Sequence, residues 1–405
     1  MERVEKLFCY FSVFYFLNYL WIERYVPFFS KIELVNVITI FFLIAIIINI
    51  PYLLSQKIEK FDLVGTALLM TVLLSGFLSW FLYRYQSLKP TLTDFFLFSR
   101  FIIIFIAISS LMSDDKKKEL KNFFVLNLKY LVIINFLFLL LNIPLHLFPT
   151  MDIRLGYASQ QLIYSHPTYL ATVSFLGWSL IEGKGKRIFQ IMAVVLMIST
   201  MRTKIILLVT IYVLYNVIIK KVNIPVIKSM ISGSSVLILG YIVFGDLIYN
   251  KLINQESSVR AKIMLKSFEI AKDHFPFGTG FATFGSYSSF INYSPIYNIY
   301  GLSQSYGFLE TSYQYGMDSY ISMLVAQFGF IGAISFLLML LIVILRTILS
   351  VSSDKKSQIE LIGLFLVISC FTESIINTGL GVAIFFFLAL SNSKTEFNNK
   401  IFSNN

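Results

Sequence analysis

Three arginines in this 405-residue chain stand where simple charge patterning does not explain them. Arg154 lies in Asp152-Ile153-Arg154-Leu155-Gly156-Tyr157, Arg202 in Ser199-Thr200-Met201-Arg202-Thr203-Lys204, and Arg260 follows Ser257-Ser258-Val259. A guanidinium keeps its proton and presents a planar fork of donors, so arginines converging at one face suit a pyrophosphate or another anion. The competing reading is snorkelling, in which each guanidinium serves lipid headgroups independently. Arg202 sits between two short apolar half-runs, and a polar group held that deep usually lines a cavity. Arg100 differs, because it falls inside the apolar run Phe95-Phe96-Leu97-Phe98-Ser99-Arg100-Phe101-Ile102. An unpaired charge there costs several kcal/mol, which predicts that it faces the interior, with Glu373 of a late apolar run as a partner.

The elements that must position these side chains follow from composition. Hydrophobic residues make up 57% of the chain and charged residues only 14%, more apolar surface than a water-soluble fold can hide. Apolar runs long enough to cross a hydrocarbon core of about 30 Å recur from end to end. They predict an all-α, polytopic membrane bundle, a single domain over 1–405, with spans at 7–22, 34–54, 63–82, 92–112, 123–148, 161–181, 188–201, 203–219, 224–248, 319–345, 358–376 and 377–391. Lys116 to Lys118, Lys184, Lys186, Arg187, Lys220, Lys221, Arg346, Lys355 and Lys356 fall in alternate loops. The positive-inside rule makes that side cytoplasmic, together with both termini. The net charge of +11 then reflects topology and attraction to anionic lipid, with no need of nucleic acid. The first apolar run reads as a retained span, since no small-residue cleavage site follows it.

One long stretch, 249–318, is not apolar, and this topology places it outside as a loop subdomain. Ala261, Met264, Leu265, Phe268 and Ala271 recur at helical spacing, with Lys262, Lys266, Glu269 and Lys272 opposite, so an amphipathic helix follows a cap at Ser257 or Ser258. Pro276 stops it, and Gly278, Gly280 and Gly285 allow a tight course. Such a turn either offers amide N–H groups to phosphate or is simply a turn. Cys9 and Cys370 lie inside predicted spans, and His146, His166 and His274 have no ligand spacing, so neither disulfide nor metal is predicted. There is no phosphate-binding nucleotide loop and no internal repeat, which argues against an ATP-driven pump or a two-fold transporter.

In order along the chain, Arg154-Leu155-Gly156, then Ser165-His166-Pro167-Thr168-Tyr169-Leu170-Ala171, then Thr200-Met201-Arg202-Thr203-Lys204 form a recognisable series. It continues with Arg260 and His274-Phe275-Pro276-Phe277-Gly278-Thr279-Gly280-Phe281-Ala282-Thr283-Phe284, and ends with Asp318-Ser319-Tyr320 before Gly329-Phe330-Ile331-Gly332. Over roughly 150–345 this resembles the O-antigen polymerase and ligase-like superfamily, the Wzy and WaaL families of membrane glycosyltransferases. The ligases typically carry His where Asp318 stands, so the resemblance is to the polymerases; Thr168 stands where Asn is common.

The resemblance implies a polysaccharide polymerase at the outer face of the cytoplasmic membrane, making O-antigen, capsule or exopolysaccharide without a cofactor or metal. It would transfer a growing glycan from undecaprenyl diphosphate onto a lipid-linked repeat unit. A chain-length regulator and a flippase are the protein partners this implies. On the same basis Arg154, Arg202 and Arg260 would bind diphosphate. Asp318 is the first candidate base, with His274, His166 and Glu310 behind it. Plain structural roles stand beside these: Asp318 and His166 as helix caps, His274 as loop packing. The tyrosines Tyr287, Tyr293, Tyr297, Tyr300, Tyr306, Tyr313 and Tyr315 suit sugar rings, and equally suit a membrane interface. The rival functions are a ligase that moves finished glycan to another acceptor and, in another class, a lipid-linked glycan flippase.

Overall fold

A computed structural model describes residues 2–55, 60–154, 156–181, 186–202, 205, 208–209, 259–311 and 317–393. Its helices are α1 (Glu2–Tyr25), α2 (Pro27–Ile32), α3 (Leu34–Ile48), α4 (Ile50–Ser55), α5 (Lys60–Tyr83), α6 (Leu88–Leu111) and α7 (Asp114–Leu145). The strands β1 (Thr150–Arg154) and β2 (Tyr157–Gln160) follow, then α8 (Pro167–Leu180) and α9 (Lys186–Ser199). After them come α10 (Val259–Asp273), α11 (Tyr287–Ile291), α12 (Pro295–Ile299), α13 (Tyr320–Leu349), α14 (Lys356–Thr372) and α15 (Gly379–Leu390). The predicted spans at 203–219 and 224–248 lie outside the described residues except for Ile205, Leu208 and Val209, as does the cap at Ser257 or Ser258.

Four described helices are long and apolar enough to cross a membrane: Phe61–Tyr83, Leu88–Leu111, Asp114–Leu145 and Tyr320–Leu349. Their outward faces are apolar as well. Leu74, Leu78, Phe81 and Leu82 on α5, and Ile334, Leu338, Leu341 and Leu345 on α13, are exposed. Surfaces of that kind need lipid rather than water around them. The all-α expectation misses one small element, the antiparallel hairpin β1–β2, with Ile153 opposite Ala158 and Arg154 opposite Tyr157.

Inside, aromatic rings fill the space between α5, α6, α13 and α15. Phe98 and Phe281 pack with Phe328, Phe281 at 4.9 Å between centroids, and Phe101 meets Phe385 at 4.5 Å. Phe281 belongs to the polar stretch 249–318, so that stretch does not stand apart from the bundle. Its glycine-rich part enters between the helices, where α13 is broken at Gly329 (φ 65°). The break frees the carbonyls of Ala326 and Gln327, and the amides of Thr279 and Gly280 donate to them at 2.9 and 2.8 Å. Apolar surroundings make such exchange obligatory, because an unsatisfied backbone group there costs several kcal/mol. A side chain on Gly278 would strike the Gly329 amide, and one on Gly329 the Pro276 carbonyl, so the two backbones meet only as glycines.

At the end of the bundle away from the hairpin, the predicted lysine cluster has one member with a different task. Lys117 is buried and donates to the carbonyls of Ser109 and Asn392, each at 2.9 Å, with Asp114 at 3.7 Å. A cation there satisfies carbonyls at and beyond the last turns of α6 and α15.

Candidate functional site

Helix α9 ends in a turn whose Met201 takes a left-handed conformation (φ 52°), and Arg202 follows it directly. The hairpin is pinned beside that turn from two sides. Ser159 Oγ donates to the Thr200 carbonyl at 2.7 Å, while Asn142 of α7 donates to Gln160 Oε1 at 2.7 Å and accepts from the Phe148 amide at 2.6 Å. Alternation along β1 then separates exposed Met151 and Ile153 from Asp152 and Arg154, which share the other face.

The outcome is a charge cluster that no local pattern contains. Arg154 Nε donates to Asp152 Oδ2 at 2.7 Å, and a terminal nitrogen of Arg202 lies 3.8 Å from Asp152 Oδ1 and 3.7 Å from Met151 Sδ. Arg154 and Arg202, predicted to act together, are therefore held on one carboxylate. Burial and then the charge of Arg154 lower the pKa of Arg202, while the charges of Asp152, Glu373 and Asp318 oppose that shift. Burial raises the carboxyl of Asp152, but the hydrogen bond of Arg154 and the charges of both arginines outweigh it and leave it below its ordinary value.

Asp318 is half-buried just before α13, within electrostatic reach of Arg202. It is not the cap of that helix: Ser319 is, its Oγ accepting from the Ser322 amide. Glu373 ends α14, where the chain leaves helical geometry before α15, and Ser374 Oγ next to it donates to the Met317 carbonyl. That bond joins the segment carrying Glu373 to the one carrying Asp318. The expected pairing of Glu373 with Arg100 is not found. Arg100 donates instead to Asn36 Oδ1 at 2.9 Å and to the Asn377 carbonyl, with Glu23 and Glu33 near enough to favour its charge.

The remaining predicted residues are placed elsewhere or otherwise engaged. His166 caps α8, its Nδ1 accepting from the Thr168 amide at 3.1 Å. His274 is buried, with Nε2 2.9 Å from Tyr85 Oη and Nδ1 3.0 Å from the Ile270 carbonyl, and edge-on to the stacked rings of Tyr83 and Tyr85. Both of its ring nitrogens are thus occupied by the protein. Glu310 is exposed on the loop. Arg260 lies in the first turn of α10, and its side chain lies outside the described residues.

The glycine-rich turn does not offer amides to phosphate at the positions with known partners. Gly278 donates to the His274 carbonyl, Thr279 and Gly280 to α13, Ala282 to Asp94 Oδ2 at 2.7 Å, and Gly285 to Tyr297 Oη at 2.9 Å. Among the predicted sugar platforms, Tyr293, Tyr297 and Tyr300 spend their hydroxyls on Phe308, on Ser289 with Gly285, and on Asp273. Tyr287 and Tyr306 are exposed, and Tyr313 and Tyr315 lie outside the described residues. Helix α10 keeps Leu265 and Phe268 exposed, with Phe268 stacked on Phe330 of α13, so its apolar edge continues the lipid-facing side of that helix.

Sequence reasoning singled out neither Asp152 nor Asp94 as a site or anchor residue. Asp94, buried in α6, fixes the entering loop through Ala282, a contact 188 residues apart. Among the described residues no group of three or more His, Cys, Asp or Glu side chains is arranged to hold a metal ion. In comparison with known proteins, no family model matches the chain and no curated protein matches it.

Proposed function

We propose that this chain is a membrane glycosyltransferase of the polysaccharide polymerase type, acting on glycans carried by undecaprenyl diphosphate at the outer face of the cytoplasmic membrane. The observation that carries the reading is the meeting of Arg154 and Arg202 on Asp152, with the charge of Asp318 close by. The gathering of Lys117, Asn392 and Ser350 at the opposite end supports the orientation, since the sequence places Lys116 and Lys118 there too.

In the proposed reaction the donor sugar is already activated at C1 by its diphosphate. An acceptor hydroxyl of the lipid-linked repeat unit forms the new bond to C1, and the bond from C1 to the diphosphate oxygen breaks. The hydroxyl proton passes to Asp318, a half-buried carboxylate within electrostatic reach of Arg202. Negative charge grows on the departing diphosphate, and Arg154 and Arg202 are fixed cations able to meet it without a metal. Arg260 at the start of α10 would add a third from the loop side. The exposed rings of Tyr287 and Tyr306 would serve as stacking faces for the sugars.

Deleting the gene in its host tests the reading: single repeat units on lipid or at the surface are expected, and normal long chains would sink it. An alkaline phosphatase fused after residue 290 should be active, and an inactive fusion would overturn the orientation. Neighbouring genes for glycosyltransferases and a flippase would fit the same assignment.

A further inference from the structure

Two guanidiniums side by side repel, and after burial the charge of Arg154 is the strongest influence lowering the basicity of Arg202. One carboxylate lies against both. Asp152 takes Arg154 at 2.7 Å through Nε alone, and among the described residues the terminal nitrogens of Arg154 have no protein partner. Toward Arg202 the contact is unclosed: 3.8 Å is beyond a hydrogen bond, and among the described residues neither the buried Asp152 Oδ1 nor the buried Arg202 Nε has a hydrogen-bond partner. Arg202 is also the more buried partner, its side chain 13% exposed against 40% for Arg154. The Arg202 Nε–H, a buried donor left open at the junction of two cations, calls for a further acceptor, since nearly all such donors are satisfied in a finished structure.

We propose that Asp152 is the positioning residue of an anion site, holding Arg154 by its Nε edge and offsetting the repulsion so that both guanidiniums face one diphosphate group. The inference rests on the reading of the arginine pair as the diphosphate site, and it assigns Asp152 a task distinct from that of a base. Its sign is opposite to that of a carboxylate competing with the ligand. If Asp152 merely occupied the arginines, removing its charge would tighten anion binding. As a positioning residue its loss weakens binding, because the two forks no longer converge.

The test uses the full chain in lipid nanodiscs, with inorganic pyrophosphate as the probe and calorimetry as the readout. Arg202→Ala examines the underlying reading: unchanged pyrophosphate affinity there removes the site, whatever Asp152 does. With that loss established, Asp152→Asn should weaken binding about tenfold, and Asp152→Glu should recover most of it. In an Arg154→Ala background the Asp152→Asn change should add little, because the two act as a unit. Unchanged or tighter binding in Asp152→Asn overturns the proposal, as does an undiminished effect in the Arg154→Ala background. Unfolding midpoints are recorded for each variant, and Asp152→Ser replaces Asn if the latter fails to fold.

Discussion

Arg100 and Arg202 are both arginines set among apolar runs, and the structure treats them in opposite ways. Arg100 is enclosed by acceptors: Asn36 Oδ1, the carbonyls of Leu97 and Asn377, and the charges of Glu23 and Glu33. Among the described residues Arg202 keeps a buried Nε without a partner, and the Asp152 carboxylate stands 3.8 Å from its terminal nitrogen. A charge with every guanidinium nitrogen matched at home is part of the framework, whereas one left half-matched beside a second cation is arranged for something that arrives. Burial alone does not distinguish the two; the acceptors around each guanidinium do.

That contrast predicts different losses. Arg100→Ala should destabilise the protein by about 1.5–3 kcal/mol, because it leaves Asn36 Oδ1 and the Asn377 carbonyl without their charged donor. The unfolding midpoint in detergent measures it, and a midpoint like wild type would place Arg100 outside the framework. Arg202→Ala should instead spare the midpoint and lower polymer formation about 100-fold, the scale of losing one fixed charge at a developing oxyanion. A large midpoint drop with full activity in the folded fraction would erase the difference between the two arginines. Acid sharpens the same contrast. Asp152 titrates below its unfolded value, so its contribution is complete above that unfolded value and is lost as pH falls through the lower folded one, in the region below about 4. Polymer formation that declines between pH 8 and 6 would be governed by another group.

Much of the bundle is legible in the sequence because length and apolarity alone decide whether a helix can cross lipid. The runs at 63–82 and 92–112 become Lys60–Tyr83 and Leu88–Leu111, and the near-continuous pair at 358–376 and 377–391 separates at Glu373 to Thr378. The turn at Arg202 is legible for the same reason, as a polar interruption between short apolar halves. Contacts across the fold are not. The partners that occupy His274 include Tyr85, 189 residues away, and nothing near His274 in sequence announces it. Asp152 escaped notice because one of its partners, Arg154, is in its own motif while the other, Arg202, lies 50 residues on. The glycine-rich turn shows the limit from the other side. Its residue types permit an anion cradle, and only the break at Gly329 reveals that two of its amides are spent on a damaged helix.

Asp94 extends the comparison to a carboxylate that is fully engaged. Asp94→Ala strands the Ala282 amide in the interior and should cost about 1–3 kcal/mol of stability. Asp94→Asn keeps an acceptor in place and should recover much of that loss. Since Asp94 anchors the stretch that carries Gly278 and Gly280 against α6, its removal should also lower activity by loosening that stretch, but only together with the midpoint. Activity lost at an unchanged midpoint would move Asp94 from the framework to the site.

The smallest effect is expected at His166, where a candidate base and a helix cap are the same ring. Its Nδ1 accepts from the Thr168 amide, one of the donors that the first turn of α8 cannot satisfy internally. His166→Ala should therefore cost about 1 kcal/mol, and His166→Ser, which restores an acceptor at the same place, should cost less. Neither change removes a charge from the arginine cluster, so polymer formation should follow stability in both. The serine variant is the informative one. A hydroxyl caps the helix but cannot take a proton as imidazole does, so a hundredfold loss of polymer in His166→Ser at a wild-type midpoint would make His166 a participant in the chemistry and displace Asp318 as the base.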